Sequence, residues 1–449
     1  MKLKKLAALL LCAAVMLPLA ACVKKPGGSE NSSGTSSSES TTVTPTKDKD
    51  TSIVATDKSR KGPAVQDLMK GITKGKGVSK KPDSRFENAA ASFALDLFRD
   101  EYKSGRKTLV SPLSVFTALA MTQNGAEDRT LSEMQKTLGG LDRDVLNAYM
   151  NAYLAELTGK DSALKCANSI WVDSKLDVKT SFLQKNADFY SAQAYKADFT
   201  RKNTVNEINS WVNKNTNGMI KKLVDEFDPL TVMVLMNALC LEAEWSDPYT
   251  DNCVSDGTFK NAKGNLVKAE YMYSQETEYI ETENATGFVK YYKGGKFAFV
   301  ALLPNEGTSI DSYIASLTGK GFLSALNSRK NTQVNTQMPK FKCEYSNSLV
   351  DTLKKMGMST AFDWDRANFS SMATLKNENI YISDVIHKTF IEVAEKGTRA
   401  GAVTAVISEK SAAMPVEQPK EVRLTRPFVY AIIDTRTNLP LFIGAQTDI

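Results

Sequence analysis

The most unusual stretch of this sequence is Glu395-Lys396-Gly397-Thr398-Arg399-Ala400-Gly401-Ala402-Val403-Thr404-Ala405-Val406-Ile407. After Arg399 the stretch carries no charge, and it contains no proline. In an extended strand, alternate side chains share a face. One face would then carry side chains small enough to enter a packed interior without displacing their neighbours, namely Thr398, Ala400, Ala402, Thr404 and Val406. From these residues alone, an ordinary buried strand or a small-residue helix is an alternative interpretation.

Polar and small residues follow this stretch, from Ser408 to Pro415, and they include Lys410, Ser411 and Ala412. Their composition is typical of an exposed loop. A segment of small residues that leads into an exposed loop can be extended and mobile, and it can also fit between two existing strands. Residues 395–407 are therefore a candidate for a strand that enters a sheet.

Helical patterns dominate the first half of the chain, and strand patterns dominate the second half. Apolar residues recur at helical spacing from Phe86 to Phe98, and a second amphipathic helix precedes Gly218. Apolar and β-branched runs such as 297–303 follow, and the C-terminal residues predict a hairpin around the turn at 437–440. This distribution predicts an α+β fold with large, mainly antiparallel sheets.

The composition excludes several classes of function. The 449 residues carry a net charge of +6, and the basic residues are scattered rather than gathered with aromatic residues, which argues against nucleic-acid binding. His387 is the only histidine, so a histidine metal centre is impossible, and the cysteine spacing offers no zinc cluster. The sequence contains neither a nucleophile elbow nor a phosphate-binding loop. We therefore expect no metal and no cofactor, and we interpret His387 as a structural histidine.

The first residues form a targeting signal. Three lysines within the first five residues precede an apolar run over 6–19, which is too short to span a bilayer comfortably. Small residues then lead to Cys22, and this junction resembles a bacterial lipobox, in which the cysteine becomes the acylated first residue of the mature protein. We predict a signal peptide over 1–21 and a lipid anchor at Cys22 that holds the protein on the extracellular face of the cell envelope. Release to the extracellular space, a plain secretory signal and a short membrane anchor are alternatives.

A low-complexity segment separates this signal from the folded part. Residues 24–50 consist mainly of Ser, Thr, Gly, Glu, Lys and Pro, which cannot bury enough apolar surface to offset the entropy lost on ordering. We predict a flexible tether over residues 22–85, in which residues 67–72 could form a helical turn. The folded domain is expected to occupy residues 86–449.

Four cysteines remain in this domain, Cys166, Cys240, Cys253 and Cys343. Export would permit disulfides, and four cysteines allow three pairings. Free thiols that act as small buried apolar groups are the simpler interpretation. The sequence leaves both readings of these cysteines open.

Several short motifs, found in one consistent order, resemble those of the serpin family. The match covers essentially all of residues 86–449, and the order and spacing of the blocks are more specific than any single block. The matching blocks are 109–114, 118–121, 124–126, 208–212, 237–245, 338–341, 356–358, 361–362, 368–370, 387–388, 392–398, 426–428 and 441–444. The resemblance implies the serpin fold, with a mobile reactive-centre loop in the second half of the chain.

The resemblance also implies roles for buried residues. Ser111, Ser114, Asn237 and His387 match the shutter, a polar network beneath the middle of the main sheet. The main sheet can be arranged in two ways, and each arrangement must satisfy the hydrogen bonds of this network. The network can therefore hold the two arrangements in balance.

The breach and the hinge are implied in the same way. Trp245 matches the breach, where insertion begins, and Lys340 is expected to pair there with Glu395. The hinge residues fit the small-residue pattern of inhibitory serpins and are Glu395, Gly397, Thr398, Ala400, Gly401, Ala402 and Thr404. Val403 is a mild departure from that pattern.

The resemblance implies a serine protease inhibitor, not an enzyme, that acts once by inserting its cleaved loop into a sheet and trapping the attached protease. The family's spacing places the reactive bond between Ser411 and Ala412, which would suit elastase- or subtilisin-like enzymes with small specificity pockets. Cleavage between Lys410 and Ser411 is the alternative and would suit trypsin-like enzymes. Papain-like cysteine proteases are further candidate targets, and we expect the inhibitor to be a monomer.

Two other functions are alternatives. A non-inhibitory serpin that acts as a cell-surface binding protein would be cleaved without trapping the protease. A surface hydrolase would have to combine Ser111 with His387, since the chain contains no other histidine.

Overall fold

The described residues of the computed structural model are 63–159, 162–376, 378–398 and 418–449. Within these ranges, the side chains of residues 166–167 and 237–238 are not described. The predicted signal peptide, the predicted lipid anchor at Cys22 and the predicted reactive bond at Ser411 and Ala412 therefore lie outside the described residues.

Helices occupy much of the first half of the described chain. They are α1 (Ser84–Glu101), α2 (Pro112–Thr122), α3 (Asp128–Thr137), α4 (Arg143–Leu157), α5 (Thr180–Tyr190), α6 (Lys202–Asn215), α7 (Ile310–Ser316), α8 (Gly319–Asn327) and α9 (Val350–Lys355). The carboxylate of Asp83 caps α1 by accepting hydrogen bonds from the backbone N–H groups of Arg85 (3.0 Å) and Phe86 (3.3 Å). Pro112 opens α2, where a missing N–H leaves no intrahelical bond unmade.

Strands dominate the second half. They are β1 (Val65–Asp67), β2 (Thr108–Val110), β3 (Leu164–Asp173), β4 (Asp177–Val178), β5 (Gln193–Ala197), β6 (Met233–Leu241), β7 (Ala243–Glu244), β8 (Val254–Lys260), β9 (Leu266–Glu281), β10 (Ala285–Tyr291), β11 (Phe297–Pro304), β12 (Lys330–Pro339), β13 (Phe341–Ser348), β14 (Ala373–Thr374), β15 (Asp384–Ala394), β16 (Gly397–Thr398), β17 (Lys420–Arg423), β18 (Phe428–Asp434) and β19 (Pro440–Gln446).

The strands form two large sheets and a small β4–β14 pair. Sheet A has the order β1-β5-β3-β6-β15-β16-β7, with β13 on the other side of β15. Sheet B has the order β17-β12-β9-β10-β11-β18-β19-β2, with β8 paired to β9. Among the described pairings the parallel ones are β3–β5, β6–β15 and β12–β17, and the rest are antiparallel. The predicted α+β fold with mainly antiparallel sheets is confirmed, and β18 and β19 form the predicted C-terminal hairpin.

The main core lies beneath sheet A and includes α1, α2 and sheet B. Every residue of α2 is buried, as is every residue of β11, β18 and β19, so these elements form the centre of the molecule. A second, smaller cluster covers the outer face of sheet A. There Ile208 and Trp211 of α6 pack against Trp171 of β3 and against Val234 and Met236 of β6.

The structure corrects the expected boundary of the tether at residue 85. Val65–Asp67 pairs antiparallel with Tyr195–Ala197 and so extends sheet A by one strand. Leu68, Met69 and Ile72 pack against the main core, and the Leu68 N–H donates to the carbonyl of Ala194 (2.9 Å). The helical turn expected over 67–72 is absent from these described residues, because the backbone leaves β1 in a tight turn instead. The folded part therefore begins about twenty residues earlier than the sequence pattern indicates.

Two smaller findings concern membrane-spanning helices and cysteines. Within the described part of the chain, the helices are all too short or too polar to cross a bilayer. Cys253 and Cys343 are free thiols, and burial raises the pKa of the Cys343 thiol. Cys240 is buried, and the side chain of Cys166 lies outside the description.

Candidate functional site: the hinge and the gap in sheet A

Strand β15 leads directly into the predicted hinge. Its side chains alternate between the interior and the outer face, and those at positions 385, 387, 389, 391 and 393 are buried. After a turn at Glu395 and Lys396, the chain reverses into β16. There Gly397 and Thr398 pair antiparallel with Ala394 and Val393 of β15 on one side, and with Glu244 and Ala243 of β7 on the other.

On the side of β15 opposite β13, sheet A is paired at both ends of β15 but not between them. At the far end, Asp384–Ile386 pair in parallel with Val234–Met236 of β6. At the near end, the two residues of β16 lie between β15 and β7. Between these ladders, no pairing joins 387–392 to 237–242, although the backbone of both stretches is described. The hinge therefore already occupies the mouth of a gap between two strands.

Gly397 is required by this geometry. Its φ of +150° lies in a region that side chains with a Cβ rarely adopt. A Cβ at this position would lie 2.1 Å from the carbonyl oxygen of Ala243 and 2.8 Å from the Cα of Glu244. Only glycine allows the chain to turn into the gap at this point.

Thr398 is seated on aromatic side chains at the predicted breach. It is 3% exposed, and its hydroxyl hydrogen-bonds to that of Tyr292. The ring of Tyr292 stacks on Trp245 at 4.4 Å and 11°. The indole N–H of Trp245 donates to the carbonyl of Ala394 (2.9 Å). The backbone N–H of Trp245 donates to the carbonyl of Lys396 (3.0 Å). The first inward-facing residue of the hinge is thus buried and hydrogen-bonded.

Ion pairs of Lys340 stabilise the turn at Glu395 and Lys396. Lys340 forms ion pairs with Glu395 and with Glu270 of β9. Burial alone would raise the pKa of Glu395, but hydrogen bonding and charge from Lys340 hold it below the usual value. The same two carboxylates raise the pKa of Lys340. Lys340 therefore contacts the hinge turn at Glu395.

His387 lies beneath the gap as a neutral side chain. It is 2% exposed, and burial lowers its pKa to about 4. Its Nε2 accepts a hydrogen bond from the backbone N–H of Ser111 (3.0 Å), so that nitrogen carries no proton. The Ser111 hydroxyl donates instead to the carbonyl of Leu441 (2.9 Å). The histidine thus joins β15 to the start of α2.

The rest of the predicted shutter is only partly described. Ser114 is buried on α2, one turn beyond Ser111. The side chain of Asn237 lies outside the description, and its backbone pairs with Asn168 in the β3–β6 ladder. Thr389, which no sequence motif indicates, lies two residues beyond His387 and donates to the carbonyl of Leu109 (2.7 Å).

The geometry does not support a hydrolase that uses Ser111 and His387. The imidazole contacts the backbone of Ser111 and not its hydroxyl, which is committed to a carbonyl. Both residues are buried, at 0% and 2% exposure, so a substrate has no access. A base must be within hydrogen-bond reach of the proton it takes from a nucleophile, and here it is placed elsewhere.

A charged pair that the sequence does not predict lies beneath the breach. The ammonium of Lys290 lies 2.7 Å from the Glu276 carboxylate and 4.5 Å from the ring centre of Tyr249, with the lysine side chain 2% exposed. The backbone N–H of Tyr249 donates to the carbonyl of Glu395 (2.9 Å). Alternation of apolar and polar residues along β9 was the available signal for Glu276, but nothing local pairs it with Lys290.

The predicted hinge residues Ala400, Gly401, Ala402 and Thr404 and the predicted reactive-bond residues Lys410, Ser411 and Ala412 lie outside the described residues. The chain is described again from Gln418, and β17 pairs in parallel with β12 of sheet B. The hinge enters sheet A on one side of this interval, and the chain rejoins sheet B on the other.

Comparison with protein families gives one assignment over most of the chain. The model for "Serpin (serine protease inhibitor)" matches residues 88–449. An uncharacterized serpin-like protein of Thermococcus kodakarensis is 32% identical over 363 residues, which are 80% of this chain and 84% of the relative.

Solved structures give the same result. Tengpin, a thermophilic serpin, in its native state has a TM-score of 0.82 and 42% sequence identity, over 86% of this chain and all of tengpin. Tengpin in its latent state has a TM-score of 0.73 and 39% identity, over 83% of this chain and all of tengpin. The described structure is therefore more similar to the native than to the latent form of the same protein.

Proposed function

The chain belongs to the serpin family, and from this premise we propose that it inhibits serine proteases as a suicide substrate. Members of the family are in general inhibitors of such proteases and not catalysts. The observation that carries the proposal is the hinge already paired at the mouth of an unfilled gap between β15 and β6.

The register of the gap supports strand insertion. Across the hinge, Val393 and Ala243 both face Thr398, and at the far end Asp384 faces Val234. The two borders therefore keep the same residue offset, 150, from one end of the gap to the other. An inserted strand could pair with both borders without a bulge, and each new rung would satisfy backbone groups on two edges.

The side chains of the loop fit this register. Thr398 faces inward, so every second residue after it would face inward as well. Continuing the ladder would bring Ala402 level with Thr389, and Thr404 level with His387 and Asn237. Small residues would thus enter the core, and a hydroxyl would reach the predicted shutter, where polar partners already exist.

The proposed reaction begins as ordinary proteolysis. The serine of the protease attacks the carbonyl of Ser411, an ester forms, and the amine of Ala412 leaves. Water would next release the protease, but the freed loop inserts first and drags the ester with it. The thirteen residues that follow Thr398, up to and including Ser411, span about 43 Å as a strand at about 3.3 Å each. Moving the protease that far deforms its active site, so hydrolysis of the ester stops. Cleavage between Lys410 and Ser411 is the second candidate and would direct the inhibitor to trypsin-like enzymes.

The test is to mix the purified protein with an elastase and, separately, with trypsin, and to run denaturing gels. We expect an SDS-stable complex with at least one of them, and mass spectrometry of the released C-terminal fragment identifies the cleaved bond. Loop-cleaved protein should also melt at a clearly higher temperature than intact protein. A protein that is cut without complex formation and without this gain would be a non-inhibitory member acting by binding.

We further propose that the inhibitor is anchored by lipid at Cys22 on the outer face of a bacterial envelope. The lipobox-like junction supports this, because acyl chains on that cysteine would hold the protein at a bilayer. Expression with a radiolabelled fatty acid should label the parent and not Cys22→Ser. Equal labelling of the two would remove the anchor from the proposal.

A further inference from the structure

A strip of positive charge lies near the start of the folded part of the chain. Residues 70–85, which we call the cationic strip, contain six basic residues and one acidic residue, so their net charge is +5 against +6 for the whole chain. The basic residues of the strip are Lys70, Lys74, Lys76, Lys80, Lys81 and Arg85. The rest of the chain is therefore nearly neutral in sum, and the net charge of the protein is concentrated in this one segment.

The backbone of the strip is fixed to two helices of the body. The Gly75 N–H donates to the carboxylate of Asp188 on α5 (2.6 Å). Further along, the backbone N–H of Lys80 donates to the carbonyl of Ala148 on α4 (3.0 Å). Because the strip is tied to the body at both points, the side chains between them have a defined position on the surface.

The glycines of the strip face the body, and its lysines face outward. A Cβ at Gly75 would lie 3.0 Å from the carboxylate of Asp188, and a Cβ at Gly77 would lie 3.1 Å from the carbonyl oxygen of the same residue. The backbone can approach the body this closely because these two residues have no side chain. Lys74 and Lys76 alternate with the glycines and are exposed. The Lys-Gly-Lys-Gly order thus presents positive charge to the outside.

Only part of this charge is neutralised within the protein. Asp83 pairs with Lys80 (3.5 Å) and with Arg85 (3.4 Å). Three exposed lysines of the strip form no ion pair with any residue that the structure describes, namely Lys70, Lys76 and Lys81. These three charges are available to an anionic partner.

The position of the strip in the chain indicates which anionic partner it meets. The predicted tether leads from Cys22, the proposed lipid anchor, to the residues just before the strip, so the tether keeps a bilayer at a high effective concentration. Val78 lies within the strip and is 72% exposed. An apolar side chain among lysines suits a bilayer interface, where it can enter the head-group region. A sulfated polysaccharide would meet the charges but would leave Val78 in water.

We propose that the cationic strip binds the anionic phospholipid head groups of the membrane that carries the anchor. The strip is then a second contact with the bilayer, and it places the side of the domain formed by α4 and α5 against the membrane. The choice of partner rests on the proposed anchor at Cys22, and the binding itself does not depend on protease trapping. Lysines close to an anionic surface each add to the affinity, and salt screens their contribution.

The first test measures binding to phosphatidylcholine vesicles with and without phosphatidylglycerol. The parent is the chain from residue 22 onward with Cys22→Ser, so that no acyl group contributes. The strip variant combines Lys70→Gln, Lys76→Gln and Lys81→Gln. The control variant removes the same charge from three exposed lysines outside the strip, by Lys263→Gln, Lys268→Gln and Lys320→Gln. We expect the strip variant alone to lose affinity for the anionic vesicles, on the order of a hundredfold, and the binding of the parent to weaken as salt is raised.

The second test locates the contact by hydrogen exchange. Amide exchange over residues 70–81 should slow when the parent binds anionic vesicles, whereas exchange over β8 and β9 should not change. Heparin is tested in parallel as a soluble polyanion. Both triple variants should melt at the temperature of the parent, since none of the six lysines is buried.

Equal losses of affinity in the strip and control variants would overturn the proposal, as would equal binding to vesicles with and without phosphatidylglycerol or unchanged exchange over 70–81. Binding to heparin without binding to vesicles would also overturn it, because the strip would then be a polysaccharide site. The parent carries no acyl group, so the result does not depend on whether Cys22 is acylated. A parent that traps no protease but binds anionic vesicles would refute the proposed inhibition and support this inference.

Discussion

The two borders of the gap in sheet A are attached to the molecule in different ways. The fixed flank, β13 with β15, is joined to the body by directional hydrogen bonds. His387 accepts from the backbone of Ser111, and Thr389 donates to Leu109. The buried carboxylate of Glu101, at the end of α1, accepts from Asn347 (2.8 Å) and Tyr345 of β13 and from Thr352 of α9.

In its described side chains, the sliding flank, β1 with β5, β3 and β6, meets the body largely through apolar contacts. Ile170, Val172, Met233 and Leu235 contribute to the main core. On its outer face the flank is covered by α6 through another apolar cluster.

The difference indicates which border moves. A hydrogen bond weakens steeply when its angle or distance changes, whereas apolar contact is non-directional. A flank held by apolar contact can shift by one strand spacing and be re-packed, and a flank held by buried hydrogen bonds cannot shift without leaving polar groups unpaired. We therefore expect β6 and its neighbours to move aside while β13 and β15 stay in place.

The largest effect is expected between the two flanks, at the hinge. Thr398→Arg would place a guanidinium where a 3% exposed hydroxyl now contacts Tyr292. Since burying an unpaired charge is very costly, the insertion rate should fall at least about a hundredfold. The protein should then be cut as a substrate, with no SDS-stable complex on gels.

The control for this substitution is Glu421→Arg, which introduces the same side chain on β17 beyond the loop, at an exposed position. Its stoichiometry of inhibition should match the parent. Full trapping by Thr398→Arg would mean that the loop does not enter the gap by way of the hinge.

A smaller effect on trapping, but a clear loss of stability, is expected when the fixed flank loses its buried carboxylate. Glu101→Ala leaves the donors on Asn347, Tyr345 and Thr352 without their shared acceptor, which should lower the free energy of unfolding by about 4 kcal/mol. Glu344→Ala, on the same strand pair but 61% exposed in its side chain, should change it by less than about 0.5 kcal/mol. Chemical denaturation monitored by circular dichroism measures the free energy of unfolding of both variants. Equal losses for the two variants would show that Glu101 does not hold the fixed flank to the body.

The third prediction concerns pH and the same flank. The pKa of buried His387 is about 4, below its ordinary value near 6.5, so the unfolded chain takes up the proton first as the pH falls. Above about pH 6.5, the neutral His387 therefore adds about 3 kcal/mol to the free energy of unfolding. This stabilisation is lost as the pH falls to about 4.

His387→Asn should remove that part of the pH dependence, since the chain contains no other histidine. Unfolding free energies at pH 7.0 and 4.5 provide the measurement. If the unfolding free energies of the parent and the variant changed equally between the two pH values, His387 would not be a neutral, buried imidazole.

Much of the fold could be predicted from the sequence, because its signals are local. Helical spacing predicts α1 and α6, the turn at 437–440 predicts the terminal hairpin, and the small residues after Glu395 are a candidate for a strand that enters a sheet. Each of these signals lies within one short segment, where periodicity and turn chemistry suffice.

The missed features depend on distant partners. β1 is a strand only because the edge of β5 is free to pair with it, and Val65 is its one strongly apolar residue. Glu101 is satisfied by residues more than 240 positions away, and Tyr292 meets Thr398 across 106 positions. A single sequence contains no local sign of such contacts, so they had to come from the structure.

The smallest predicted effect separates the flanks most finely. Ile208→Val on α6 and Ile391→Val on β15 each remove one buried methylene group, from 0% and 2% exposed side chains, and each should cost about 1 kcal/mol of native stability. Their effects on trapping should differ. Loosening α6 eases the shift of the sliding flank beneath it, so Ile208→Val should trap with the same or a lower stoichiometry. Ile391→Val weakens β15, the strand with which the inserted loop would pair, so the stoichiometry of inhibition of this variant should not fall. Titration of active protease gives both values, and a raised stoichiometry for Ile208→Val alone would show that the border covered by α6 is the one that stays in place.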